Sequence, residues 1–226
     1  MIDDRLLRRH FLIMPKQRII YVSVPKNASS TLKVTFARRE LDDPDFLPEK
    51  MHVRKLYPFK SPQKFGIDVT AIPDDWTTVA FVKNPYVRLL SAYLDKFAPG
   101  RNVNNSDKLR AEANLPPTGD VSFSEFVRSV CEVRPEDMND HWRPQSDILH
   151  VSVVNYDILG KMEDFSGSLE RLAKVADIRP WLKESSKRSG AKGLVGEYYN
   201  EELRALVHDK YRADFEAFGY DERLPL

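Results

Sequence analysis

The chain has 226 residues, 42% hydrophobic and 31% charged, with 35 basic against 34 acidic side chains and a formal net charge of +1. That is enough chain for a substantial core, and the near-neutral balance excludes a general electrostatic grip on nucleic acid, so any anion site must be a local cluster. No apolar run is long enough to span a membrane. The single cysteine, Cys131, excludes an intramolecular disulfide and any cysteine-based metal site, which makes a reducing cytoplasm the expected location.

Residues 1–17 read as a lead-in segment. Its apolar part, Phe11 to Met14, is too short for a signal-peptide core. The apolar run from Ile19 to Val24 predicts a short buried strand, ended by Pro25 and Lys26. Small polar residues follow, Asn27-Ala28-Ser29-Ser30-Thr31, and then Leu32 and Phe36 are spaced as on one helix face. Strand, small-residue loop with a lysine, and helix form a phosphate cradle, because backbone N–H groups and the helix dipole both favour an anion at a helix start. The Walker A pattern is absent. An ordinary β–turn–α connection with a surface lysine fits these residues equally well.

Residues 41–76 are polar, proline-containing and largely irregular. Thr77 to Val82 is a second strand. It runs into Lys83-Asn84-Pro85, where Asn84 suits an N-cap and Pro85 a first helical position. The helix that follows carries Tyr86, Leu89, Leu90, Tyr93, Leu94 and Phe97 in one stripe. Lys83 and this helix start form a second candidate anion site. Residues 98–119 read as a long surface loop. Ser122 and Glu125 form a capping box ahead of a helix with Phe123, Phe126, Val127 and Val130.

Ile148 to Val154 reads as a third strand, and a helix with Phe165, Leu169 and Leu172 follows. Residues 183–193 form a basic, small-residue loop, and a last helix begins near Asn200. No linker divides the chain, so one domain over 1–226 is expected. Strands alternating with helices imply an α/β fold whose central sheet is mostly parallel, P-loop-like and flanked by helices.

Four stretches in this order resemble the carbohydrate sulfotransferases of the chondroitin, dermatan and HNK-1 type. They are Ile20 to Lys26 with its small-residue loop; Phe81 to Tyr93 followed by Lys96-Phe97; Met138 to Trp142 with Tyr156-Asp157 and Gly160-Lys161-x-Glu163; and Tyr211-x-x-Asp214-Phe215-x-x-Phe218-x-Tyr220. The resemblance implies transfer of a sulfuryl group from 3′-phosphoadenosine 5′-phosphosulfate (PAPS) to a hydroxyl of a glycan or glycolipid, leaving adenosine 3′,5′-bisphosphate. It places Lys26 on the bridging oxygen that leaves, with Asn27, Ala28, Ser29, Ser30 and Thr31 gripping the phosphosulfate. Lys83 and Ser91 fall at the family's 3′-phosphate site. Ser186, Lys187 and Arg188 fall where the family closes over the nucleotide.

Such a transfer asks the protein to position groups and stabilise charge, with a base near the acceptor hydroxyl. No metal-ligand spacing is visible. His52 stands where the family also carries a histidine and is the favoured base. His141, in the His-Trp motif, is the second candidate.

Two departures stand out. Lysine replaces the family's usual arginine at Lys83, which keeps the charge and loses bidentate geometry. Leu149 and Ser152 stand where the family has two cysteines, and with the missing anchor this suggests a soluble, bacterial-type relative. A glycan- or nucleotide-binding relative without catalysis, and a P-loop-like kinase, are the competing readings. Acceptor identity and oligomeric state are not encoded in these motifs.

Overall fold

The computed structural model describes residues 2–51, 53–99, 106–176 and 190–226. The chain opens with α1 (Asp4–His10), β1 (Phe11–Met14), β2 (Ile19–Val22), α2 (Ser29–Leu41), α3 (Pro62–Phe65) and β3 (Thr77–Val82). Next come α4 (Pro85–Lys96), α5 (Ser106–Glu112), α6 (Phe123–Glu132) and α7 (Gln145–Leu149). Then follow β4 (Ile158–Lys161), α8 (Phe165–Ala176), α9 (Ala191–Tyr198), α10 (Glu201–Lys210) and α11 (Arg212–Phe218).

By contacts the chain resolves into two compact units, one from Met1–Val82 and Ile148–Ser186, the other from Lys83–Asp147 and Lys187–Leu226. The first holds the four-stranded sheet, in the order β1-β2-β3-β4. β2, β3 and β4 are parallel, and β1 is antiparallel to β2, with Phe11 opposite Val22. The sheet is therefore mostly parallel, as the alternation of strands and helices predicts. β1 and β2 are buried at every position, the pattern of strands covered on both faces. Tyr21 of β2 stacks on Phe36 of α2 with ring centroids 4.6 Å apart, and Phe81, Ile158 and Leu172 extend the same core.

The second unit packs helices around Trp142, which is fully buried. Phe126 meets Trp142 edge-on with ring centroids 5.6 Å apart, and Phe97 meets it tilted at 6.0 Å. Every residue of α4 from Pro85 to Tyr93 is buried, polar Arg88 and Ser91 included, so α4 is a core helix rather than the half-exposed helix a single stripe implies.

Three sequence-based expectations fail. Residues 98–119, expected as a surface loop, contain the helix α5, and Ala113 and Leu115 just after it are buried in the core. Residues 1–17 are not a mere lead-in. Asp3 caps α1 by accepting the Arg5 N–H at 2.8 Å, and Phe11 to Met14, too short for a signal core, has the length of an edge strand. Residues 148–154 are not a strand either. The carboxylate of Asp214 accepts the N–H groups of Gln145 and Ser146, nucleating the helical turn α7, and the chain then turns through His150 at φ 48°. Tertiary hydrogen bonds override the β-branched composition. The strand is β4, whose Gly160 has Phe81 so close behind it that an added Cβ would lie 2.7 Å from the ring.

Candidate functional site

In the first unit, the loop from Ser23 to Ala28 joins β2 to α2. Lys26 and Ala28 both have left-handed backbone, with φ of 72° and 53°. Phosphate loops usually use glycine for this geometry. Here non-glycine residues adopt it at a cost of about 1–2 kcal/mol each. Two anchors hold the loop. The buried side-chain amide of Asn27 donates to the Phe81 carbonyl at 2.7 Å. At the loop entrance, Nδ1 of buried His10 donates to the Ser23 carbonyl at 2.7 Å, while Ser23 N–H donates to the His10 carbonyl at 2.9 Å.

The loop delivers the chain to the start of α2. Ala28 is its N-cap, no side chain caps it, and its first turn carries no acidic residue. An uncapped helix start leaves N–H groups able to meet an anion or water. Ser29, Ser30 and Thr31 form that first turn, with Lys26 just before it. Asn27 differs from the sequence expectation in one respect, since its amide braces the loop against β3. Lys33 lies one turn further along α2, its ammonium 5.7 Å from the centroid of the Tyr57 ring. Burial, and then the nearby Arg54 guanidinium, push that ammonium below the ordinary lysine range.

In the second unit, Asn84 caps α4 by accepting the Tyr86 N–H at 3.0 Å. Lys83, immediately before it, has both backbone groups held by Gln145. Ser91, within α4, is buried. Arg88 is buried as well and donates to the carbonyls of Arg143 (2.8 Å) and Asp140 (2.9 Å), tying α4 to the His-Trp segment. Its burial pulls the guanidinium below its usual range, and the charge of Asp214 opposes that shift.

His141 is half-buried. Its Nδ1 lies 2.7 Å from the Asn139 side-chain oxygen, which also accepts the His141 N–H at 2.9 Å. The Asn139 amide donates in turn to Glu112 at 2.5 Å. A carboxamide oxygen only accepts, so the chain Glu112–Asn139–His141 puts a proton on Nδ1 and fixes the orientation of the ring.

Of the expected site residues, the structure places Lys26 to Thr31 together on one loop and helix start, and Lys83 and Ser91 on the lead-in and body of α4. His52, Ser186, Lys187 and Arg188 lie outside the described residues. Sequence reasoning missed His10, Gln145 and Arg88. Their roles rest on partners 13, 62 and 55 residues away, which no local pattern reveals. Asp157 and Gly160 of the third motif are structural: the Asp157 carboxylate accepts the Thr78 N–H at 2.7 Å, and Gly160 makes room for Phe81. Among the described residues no group of three His, Cys, Asp or Glu side chains could hold a metal, and no helix is long and apolar enough to cross a membrane.

The chain is 29% identical to carbohydrate sulfotransferase 14 of Mus musculus, an alignment covering 96% of this chain and 61% of that protein. It is 24% identical to carbohydrate sulfotransferase 11 of Rattus norvegicus over 94% of this chain and 67% of the relative. It is 29% identical to carbohydrate sulfotransferase 9 of Homo sapiens over 64% of this chain and 38% of the relative. The chain thus spans about three fifths of the length of the carbohydrate sulfotransferase 14 proteins it matches. No solved structure matches it. The family model described as the Sulfotransferase family matches residues 9–221, nearly the whole chain, and the chain belongs to that family.

Proposed function

We propose that this chain moves a sulfuryl group from PAPS to a hydroxyl of a carbohydrate or glycolipid acceptor. The observation that carries the reading is the loop before α2, where left-handed Lys26 and Ala28 lead into a helix start with neither a side-chain cap nor an acidic first turn. The relatives, named carbohydrate sulfotransferases, support a carbohydrate acceptor.

The residues present suit PAPS, which supplies the sulfuryl group and a nucleotide leaving group. Lys26 and the backbone and hydroxyl groups of Asn27 to Thr31 would hold the phosphosulfate, and Lys83 and Ser91 the 3′-phosphate. Ser186, Lys187 and Arg188 would cover the nucleotide. The Lys26 ammonium offsets the negative charge that grows on the bridging oxygen, a stabilisation specific to the transition state. A base takes the proton of the incoming hydroxyl. The resemblance assigns that base to His52. A second reading is favoured by the Glu112–Asn139–His141 chain, which orients the His141 ring for the same task. The single cysteine supports a reducing cytoplasm as the location.

The test is transfer of labelled sulfate from PAPS across a panel of glycan and glycolipid acceptors, paired with calorimetric titration of adenosine 3′,5′-bisphosphate. Lys26→Ala is expected to cut the transfer rate far more than it weakens bisphosphate binding, and a Lys26→Ala protein that still transfers at the parent rate refutes the mechanism. His52→Ala is expected to abolish transfer with bisphosphate affinity kept. If His141→Ala behaves this way and His52→Ala does not, the base is His141.

A further inference from the structure

The structure assigns to Gln145 the role of a positioning residue that clamps the backbone of Lys83 and so aims its ammonium. This inference rests on the reading of Lys83 as a 3′-phosphate ligand and adds what holds that ligand in place. Gln145 is fully buried. Its side-chain oxygen accepts the Lys83 N–H at 3.0 Å, and its side-chain amide donates to the Lys83 carbonyl at 2.8 Å. A single carboxamide therefore satisfies both main-chain groups of the residue that precedes Asn84 and α4, as a neighbouring strand would. A carboxamide is the neutral group able to do both at once, one face accepting and the other donating.

The clamp is itself clamped. The carboxylate of Asp214, from the C-terminal Tyr-x-x-Asp-Phe motif, accepts the Gln145 N–H at 2.9 Å, the Gln145 side-chain amide at 3.2 Å and the Ser146 N–H at 2.7 Å. Asp214 is completely buried. Asp214 fixes which way the carboxamide of Gln145 points, because only its NH2 end can face the carboxylate, and the oxygen is left for Lys83 N–H. A lysine has a flexible four-carbon stem and, unlike arginine, no bidentate fork to fix its approach to a phosphate. Fixing the backbone from which the stem springs limits the positions the ammonium can reach. The role is one of positioning, since Gln145 is bonded to Lys83 and not placed on the ligand.

Gln145→Met keeps the side-chain length and removes both hydrogen-bonding ends. Calorimetric titration with adenosine 3′,5′-bisphosphate and with adenosine 5′-phosphosulfate, which lacks the 3′-phosphate, reads the effect. Expected is at least a tenfold loss of affinity for the bisphosphate, with affinity for adenosine 5′-phosphosulfate kept within twofold. In a Lys83→Ala background, Gln145→Met should cause no further loss, because its effect runs through Lys83. An equal loss for both ligands, or an effect that adds to Lys83→Ala, overturns the positioning role. If Lys83→Ala alone leaves bisphosphate affinity unchanged, the 3′-phosphate reading fails and the clamp's role fails with it. Should Gln145→Met not melt cooperatively, Gln145→Asn, which keeps the amide but withdraws it by one methylene, is titrated under the same criteria. Failure of both variants to fold assigns Gln145 to stability alone and overturns the proposal.

Discussion

Replacing Asp214 by asparagine keeps the shape of the side chain and removes its charge. In the native chain the two carboxylate oxygens accept three N–H groups, at 2.9 and 3.2 Å from Gln145 and 2.7 Å from Ser146. Asparagine offers one accepting oxygen, so its NH2 group must face at least one of these donors. The site is closed to water, and a stranded buried donor costs about 1–3 kcal/mol. The surviving bonds lose their charge assistance, roughly 1 kcal/mol more. Arg88, buried nearby, also loses the negative charge that favours its guanidinium, which adds in the same direction. The expected destabilisation is about 3–4 kcal/mol. Urea unfolding followed by tryptophan fluorescence and circular dichroism measures it. Trp142 is buried in the same unit and its carbonyl accepts the hydroxyl of Tyr211, three residues before Asp214, which makes it a local reporter. A midpoint shift at unchanged slope isolates stability. A loss below about 1 kcal/mol would show that these bonds are replaceable, and the account of α7 as a turn nucleated by Asp214 would fail.

Three further outcomes are expected. Gly160→Ala brings a Cβ to 2.7 Å from two Phe81 ring carbons and 3.0 Å from Ser168 Cβ, an overpacking cost of about 1–3 kcal/mol, and Phe81→Leu in the same chain should recover part of it; a neutral Gly160→Ala melt refutes the close approach. Ser122→Ala removes a capping box in which Ser122 Oγ accepts the Glu125 N–H at 3.2 Å and Glu125 accepts the Ser122 N–H at 2.8 Å, and about 1 kcal/mol of stability should be lost, roughly 2–4 °C of melting temperature. Burial pushes both the Cys131 thiol and the Tyr57 hydroxyl up to about 12. The unfolded chain releases these protons near pH 8.5 and 10, so the folded state binds more protons above about pH 8.5 and stability falls from there to pH 12, by at most about 1.4 kcal/mol per pH unit for each group. Urea midpoints measured from pH 7 to 10.5 should be flat at first and then decline, and Cys131→Ala should flatten the early part of that decline.

How much was legible follows from where each residue finds its partners. The strand–loop–helix order before α2 and the Asn84-Pro85 start of α4 are local signals, made of capping residues and a break in an apolar run, and both are readable. So was the class of the fold, because β2, β3 and α2 announce themselves by periodicity. β4 was missed because four residues, one of them glycine and one lysine, carry too little pattern, and its position is set by Phe81 behind Gly160. The false strand at 148–154 has the opposite cause. Its composition favours β structure, but the helical turn that runs into it starts at Gln145 and Ser146, whose N–H groups are held by a carboxylate 69 and 68 residues away. Gln145 stands in none of the sequence motifs and takes its meaning from the Lys83 backbone.

The same distinction explains how a loop without glycine can hold a strained shape. Lys26 and Ala28 in left-handed backbone together cost about 2–4 kcal/mol, more than an exposed loop sustains unaided. The offset comes from the fixed groups on either side. His10 pins Ser23 through two hydrogen bonds, and Asn27 is bonded to the end of β3 from a position with almost no exposure. These bonds require β1 to pair with β2 and β3 to lie beside it, so the loop acquires its shape only when the sheet is complete. A segment that read as a lead-in is for this reason part of what holds Lys26. The strain is sustained by the fold instead of being relieved by glycine, and under the proposed function the chain gains a lysine whose backbone is set before the donor's anion arrives. Preorganisation of this kind is what charge stabilisation in a transition state demands, since groups already in place need not reorganise when the charge develops.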